Sequence, residues 1–229
     1  MDNILIVGDT HGEWAPLNKL ISSKHPDIIL QIGDFGWWPK FHNTSSINDG
    51  VNYKRRWDQY GIKNNGCKIY WCDGNHEDHW DLKKHDHPHE VMPDVYYMPR
   101  CSILVLPDGR RVLFMGGASS IDKRYRTIGH DWFPEEEISQ RDIMNLPNVD
   151  IDIVISHTCP NSFLKGSKFC EFKIKDSSND ALEYVFEKYN PSLWYFGHFH
   201  CYENGFDKHT NWTCLNILGF TNGWCKLKI

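Results

Sequence analysis

Long apolar runs are missing from this chain: no stretch approaches the roughly 20 residues a membrane-spanning helix needs, so no membrane partner is expected. A basic excess is missing too. Lys and Arg number 25 against 30 Asp and Glu, a formal net charge of -5. That balance argues against stable binding of long nucleic acid, which requires many phosphates to be neutralised. A nucleotide or nucleic-acid fragment stays open as a substrate, because bound cations can supply positive charge locally. No two of the eight cysteines stand at a CxxC spacing. They read as reduced thiols of a cytoplasmic protein rather than as a disulfide framework. Met1-Asp2-Asn3-Ile4 shows no basic segment ahead of a long apolar core, so a signal peptide is not expected. Repeats, low-complexity tracts and linkers are absent, and residues 1–229 are expected to form a single domain.

What is present begins with enough apolar mass for a core: 40% of the residues are hydrophobic, ten of them tryptophan. Five short apolar runs each end in polar residues of the kind that bind metals or move protons. Ile4-Leu5-Ile6-Val7 leads into GDTHG, and Ile28 to Ile32 leads into GDFG. Lys68 to Cys72 leads into GNHEDH, Ile151 to Ile155 into SHT, and Leu193 to Phe196 into GHFH. Taken singly, a histidine at a strand end is more often a packed or solvated side chain than a ligand. Five such endings in one chain are hard to ascribe to chance.

The first half alternates strand and helix patterns. Strands are expected at about 3–7, 28–32 and 68–72, with helices through Trp14, Leu17, Leu20 and Ile21 and at about 49–60. Strands at about 95–98, 102–106 and 111–115 follow closely, with Asp108-Gly109 as a hairpin turn. Pro134-Glu135-Glu136-Glu137 has the character of a helix start. After a strand at 151–155, residues 161–176 read as a long loop or small insertion, and 176–180 as a cap for a helix through Leu182, Val185 and Phe186. Strands at about 193–196, 212–217 and 224–228 close the chain, the last two joined by a turn at 221–223. This order suits a mixed sheet, or two packed sheets with helices outside.

The candidate ligands are Asp9, His11, Asp34, Asn75, His157, His198 and His200. Imidazole with carboxylate and amide oxygen suits open, water-bearing sites for manganese, iron or zinc rather than closed thiolate sites. Asp9 and His11 are two apart, as are His198 and His200, so each pair can aim one way from a strand end. His76 and His79 do not form HExxH, since only two residues separate them. The tract His79, His85, His87 and His89 reads as a solvated loop, with an extra metal site as the alternative. Trp37 and Trp38 follow the second motif; they either stack a nucleobase or pack the loop.

The ordered blocks Asp9-Thr10-His11, Gly33-Asp34, Gly74-Asn75-His76-Glu77, His157 and Gly197-His198-Phe199-His200 resemble those of the calcineurin-like metallophosphoesterase superfamily. They run over nearly the whole chain. The resemblance implies an α/β fold, a four-layered α/β/β/α sandwich of two mixed sheets flanked by helices. It implies two divalent metal ions, manganese first, with iron, zinc or nickel as alternatives. Asp34 would bridge them, Asp9, His11 and His200 would complete one site, and Asn75, His157 and His198 the other. A hydroxide between the ions would attack phosphorus. His76 would be the catalytic proton donor to the leaving oxygen, oriented by Glu77 or Asp78.

The phosphoprotein phosphatase branch continues its blocks as GDxVDRG and RGNHE. Here they read GDFGWWPK and DGNHED, without the phosphate-holding arginines of that branch. The stretches GGASSIDKRYR and WFPEEEIS resemble small prokaryotic and phage-type members. Asp122, Lys123, Arg124 and Arg126 would then border the site, one cation helping to hold phosphate; the alternative is a strand end followed by a solvated charge run. Arg124, Arg126 and, from the second motif, Trp37 are the candidate substrate-binding residues. The expected activity is a phosphodiesterase for nucleotide or nucleic-acid-derived esters, with phosphomonoesterase activity, including Ser/Thr protein phosphatase activity, as the alternative. A vestigial metal-binding scaffold is the rival from another class. It would have lost a ligand or His76, and neither is lost.

Overall fold

The computed structural model describes residues 2–39, 61–171 and 176–228. The helix expected at about 49–60 lies outside the described residues. Among the described residues the first sheet holds six strands in the order β12-β1-β2-β3-β5-β4: Trp224–Lys226, Ile4–Val7, Ile28–Gln31, Lys68–Trp71, Val95–Tyr97 and His89–Met92. The second also holds six, β10-β11-β9-β8-β7-β6: Glu203–Asp207, Thr210–Cys214, Leu193–Phe196, Ile153–Ser156, Arg111–Met115 and Ser102–Val105. Each has a parallel centre and antiparallel edges.

The period of two along each strand decides the layering. In β1, Ile4 and Ile6 face the space between the sheets, while Leu5 and Val7 pack under helix α1, Trp14–Lys24. In β9, Leu193 and Tyr195 face the first sheet, while Trp194 and Phe196 pack with Leu182, Val185 and Phe186 of helix α5, Ser177–Tyr189. β7 and β8 divide the same way, Phe114 and Ile155 inward, Met115 and Val154 outward. Two mixed sheets thus share a central core, and each has a second core on its outer face.

Several local expectations are corrected. The tract expected as a solvated loop contains a four-residue helix α2, His79–Leu82, and the edge strand β4. Pro134 opens only a three-residue turn of helix; the longer turn is α3, Gln140–Met144, started by a reciprocal Ser139–Asp142 cap. Residues 161–171 carry a short helix α4, Asn161–Leu164, and a turn at 168–171 rather than a long loop. The last two expected strands do not pair. β11 joins the second sheet, and the chain then crosses to place β12 beside β1 in the first. That crossing passes the site, where the Leu218 N–H donates to the Asp9 carbonyl at 2.8 Å.

Among the described residues no helix is long and apolar enough to cross a membrane.

Candidate metal centre

The parallel strands of both sheets end on one side, so the loops after β1, β2, β3, β8 and β9 meet there. All seven candidate ligands come together in those loops. His11, Asp34, His198 and His200 are held at positive φ (46°, 50°, 67° and 50°), a backbone state that side chains other than glycine seldom occupy. Such strain persists where surrounding contacts impose it, and it clusters at functional sites. Two glycines allow the close approach. A Cβ on Gly33 would lie 2.6 Å from the His157 ring, and one on Gly74 would lie 2.2 Å from the Asp34 carboxylate.

Asp34 is the centre. Its Oδ1 accepts from the backbone N–H groups of Asn75 and His76, both at 2.9 Å. Its Oδ2 faces His157 Nε2 at 3.3 Å on one side and His11 Nε2 at 3.7 Å on the other. The second side continues through Asp9 and His200: Asp9 Oδ2 stands 3.2 Å from His200 Nε2, and His11 Nε2 lies 3.2 Å from His200 Nε2. One ligand atom from each of Asp9, His11, Asp34 and His200 can be chosen so that all lie within 4.8 Å of one another. On the first side, Asn75 Oδ1 is 3.2 Å from His157 Nε2 and 3.1 Å from His198 Nδ1.

The hydrogen bonding shows what this donor set fits. His157 Nδ1 lies 3.1 Å from the Ile32 carbonyl, which can only accept, so Nδ1 carries the proton. In the neutral ring, Nε2 then presents a lone pair to Asp34 Oδ2 and Asn75 Oδ1, two further acceptors. Acceptors converging in this way require a cation, and a histidine whose other nitrogen is tied to a carbonyl is the usual metal-ligand arrangement. The protein alone meets the need with protons. Burial works against charge on His157, but Asp34 outweighs it and pulls the ring up to about 10. Burial likewise works against the Asp34 charge, yet His157, His76 and His11 hold it well below the carboxylate range. Burial pushes His198 down to about 3.

A cavity of about 500 Å³ opens onto the cluster, lined by His76, Arg126, Asp122, Asn179 and Phe199 among others. Arg126 donates to His76 Nε2 at 3.2 Å and pairs with Asp122 at 2.8 Å. A guanidinium only donates, so His76 accepts at Nε2 and is neutral here. Burial pushes the ring down to about 4. His76 must therefore gain a proton before it can give one from Nε2. Its backbone is fixed by the Asp34 bond and by the Trp38 indole N–H, which donates to the His76 carbonyl at 2.9 Å.

Two of the candidate substrate-binding residues lie off this cavity. Trp37 is 8% exposed, packs near Trp71 and donates to Asp81 at 2.8 Å; it does not line the cavity. Arg124 is exposed and lies over the Tyr125 ring, also off the cavity. Glu77 braces loops instead of the His76 ring, accepting from the Gly36 and Gly74 N–H groups at 3.0 and 2.7 Å. Asp78 caps α2 by accepting from the Asp81 N–H. Sequence reasoning missed Thr158, Asp176 and Asn179, which also line the cavity. It also missed Ser120 and the buried Glu136, which bond each other beside Asn75. The GGASS and PEEE stretches were visible signals, but nothing local says that they meet.

Several known proteins resemble this chain. Residues 3–202 match the model of the calcineurin-like phosphoesterase family. The chain is 24% identical over 218 residues to a lariat debranching enzyme of Schizosaccharomyces pombe, covering 85% of this chain and 47% of that protein. It therefore spans about half the length of that curated relative. A phosphopantetheinyl hydrolase of Mycobacterium tuberculosis shares the fold at a TM-score of 0.50 and 10% identity, over 98% of this chain and 95% of its own. Another crystal structure aligns at a TM-score of 0.53 and 12% identity, over 96% and 92% of the two chains.

Proposed function

The chain belongs to the calcineurin-like phosphoesterase family, and on that premise we propose that it is a dinuclear metal-dependent phosphodiesterase of nucleotide or nucleic-acid-derived esters. The observation that carries this reading is the convergence of six side chains around Asp34, with His157 Nε2 facing only the acceptors Asp34 Oδ2 and Asn75 Oδ1. Asp9, His11, Asp34 and His200 would hold one divalent ion; Asp34, Asn75, His157 and His198 would hold the other. The all-nitrogen and oxygen set suits manganese, with iron, zinc or nickel as alternatives. Bound there, the ions supply positive charge for the phosphoryl oxygens and lower the pKa of water at the site.

The remaining work falls to residues of the cavity. Arg126 is the one Lys or Arg among the described residues lining it, and Asp122 already offsets part of its charge. A single, partly neutralised guanidinium matches the monoanion of a diester better than the dianion of a monoester. When phosphate draws Arg126 away, His76 Nε2 is freed. The added negative charge favours protonation of the ring, which then gives its proton to the leaving oxygen. The debranching activity named for the fission-yeast relative is in keeping with a diester substrate. The seven described cysteines are unpaired, in keeping with a cytoplasmic setting. One domain over residues 1–229 accommodates all of these roles.

The test is hydrolysis by stripped and manganese-loaded protein of nitrophenyl mono- and diesters, linear and cyclic nucleotides, and phosphopeptides. Metal-dependent turnover, faster on the diester, is expected. Full activity in metal-free protein would remove the dinuclear reading. A preference for phosphopeptides over every diester would replace the diesterase with a phosphomonoesterase.

A further inference from the structure

We propose that Ser120 and Glu136 are positioning residues that set the amide of Asn75 and so complete the ion site it shares with His157 and His198. The inference rests on the metal-centre reading above. Asn75 offers either its oxygen or its nitrogen to that site, and only the oxygen can bind a cation. Which one points inward is decided by what holds the other end.

The chain of bonds leaves little choice. Glu136 is buried; one carboxylate oxygen accepts the Ser120 N–H at 2.5 Å, the other meets Ser120 Oγ at 2.7 Å. Burial pushes Glu136 up to about 7, while the Ser120 N–H and hydroxyl favour its charged form; as a carboxylate it only accepts, so the Ser120 hydroxyl spends its proton on it. Ser120 Oγ then has only lone pairs for Asn75, at 3.1 Å, and the group it meets must be the amide nitrogen. The amide oxygen is left facing His157 and His198 at 3.2 and 3.1 Å. Glu136 is itself fixed from behind. Arg100 donates to the carbonyls of Glu135, Glu136 and Glu137 at 3.0, 2.9 and 2.6 Å, and anchors on Asp73 at 2.6 Å. Asp73 stands just beyond β3, two residues before Asn75, so one arginine ties the turn bearing Glu136 to the motif that Glu136 serves.

Glu136→Gln tests the direction of the bonds without changing size. A glutamine has one acceptor where two are needed, so one of its contacts becomes a donor. The Ser120 proton is then released toward Asn75 and favours the flipped amide. Stripped wild type and variants are titrated with manganese alone by calorimetry, and bound ions are counted by elemental analysis. Metal-free melting temperatures are recorded in parallel.

Glu136→Gln and Ser120→Ala are each expected to weaken one of two ions by about 10–100-fold, the scale for groups that orient metal ligands, and leave the other unchanged. Ser120→Thr keeps the hydroxyl and is expected to restore the weakened ion. Two ions at wild-type affinity in both Glu136→Gln and Ser120→Ala would overturn the proposal. So would a Ser120→Thr chain as impaired as Ser120→Ala, or a loss of affinity that only tracks a lowered melting temperature. If Ser120→Ala fails to fold, the isosteric Glu136→Gln decides alone. A wild type that binds fewer than two ions would instead bring down the metal-centre reading itself.

Discussion

On one side of Asp34 Oδ2 the site is enclosed, and on the other it is open. Asn75 and His157 are buried, and each is tied at its far end, to Ser120 and to the Ile32 carbonyl. His11 and His200 have side chains 24% and 46% exposed, and their imidazole nitrogens face each other across the mouth. The same donor chemistry therefore serves two ends. The enclosed half is set before anything binds, because neither partner of its Asp34–His157 pair can be satisfied by water. The open half can exchange its contacts with solvent.

The shared carboxylate is the largest break available. Asp34→Ala should release both ions and reduce hydrolysis to background; two bound ions with near-normal turnover would show that Asp34 joins nothing. His76→Ala leaves both halves of the site intact. It should keep two ions and lose about 10²–10⁴-fold in kcat, the usual worth of general acid–base catalysis. The loss should be greater for a ribose alkoxide leaving group than for nitrophenolate. Equal losses would mean that His76 positions phosphate.

The comparison is sharpened by cutting each half alone. His157→Ala leaves a buried carboxylate without its partner and should destabilise the metal-free chain by about 3–5 kcal/mol. His200→Ala removes a half-exposed partner from the buried Asp9, which keeps the His198 N–H, and should cost less than His157→Ala. Denaturant titrations of the stripped variants give both values, and equal costs would erase the distinction between enclosed and open. Arg126→Ala touches neither half. Loss of one charge-assisted contact, about 1.5–3 kcal/mol, should lower kcat/KM on a diester by about 10–150-fold.

A further effect is one of pH, again on the enclosed half. The His157 value in the folded chain is raised from 6.5 to about 10. The folded state then holds a proton that the unfolded state releases, so this contribution is full below pH 6.5 and is lost as pH rises through 10. The metal-free melting temperature should fall across that window. Loaded manganese should flatten the slope, because the cation takes the place of the proton. An identical slope with and without metal would count against His157 as a ligand.

The legible parts of the site were those written locally. A strand end, a glycine and a ligand-type side chain lie within a few residues of one another, and all seven candidate ligands were found that way. His79 shows where such reading stops. It resembles its neighbours in sequence, yet it starts α2, where burial pushes it down to about 4. Trp37 and Trp38 likewise follow a ligand motif, but Asp81 of α2 and Trp71 claim the first ring, and the His76 carbonyl and Phe133 the second.

By itself, then, the sequence determined which strand faces are apolar and which residues are candidate ligands. Alternation along each strand assigns faces within a few residues, and five strand ends carry their own polar cargo. Only the tertiary structure decided that Arg126 and not Arg124 reaches the cavity, that β12 leaves β11 for the other sheet, and that Glu136 stands behind Ser120 and Asn75. Those facts join residues far apart in the chain: Arg126 and His76 are 50 positions apart, Asn75 and Ser120 are 45. No local pattern encodes such pairings. They follow from how two sheets and their crossing loops close on one another, and from the need of each buried polar group to find a partner there.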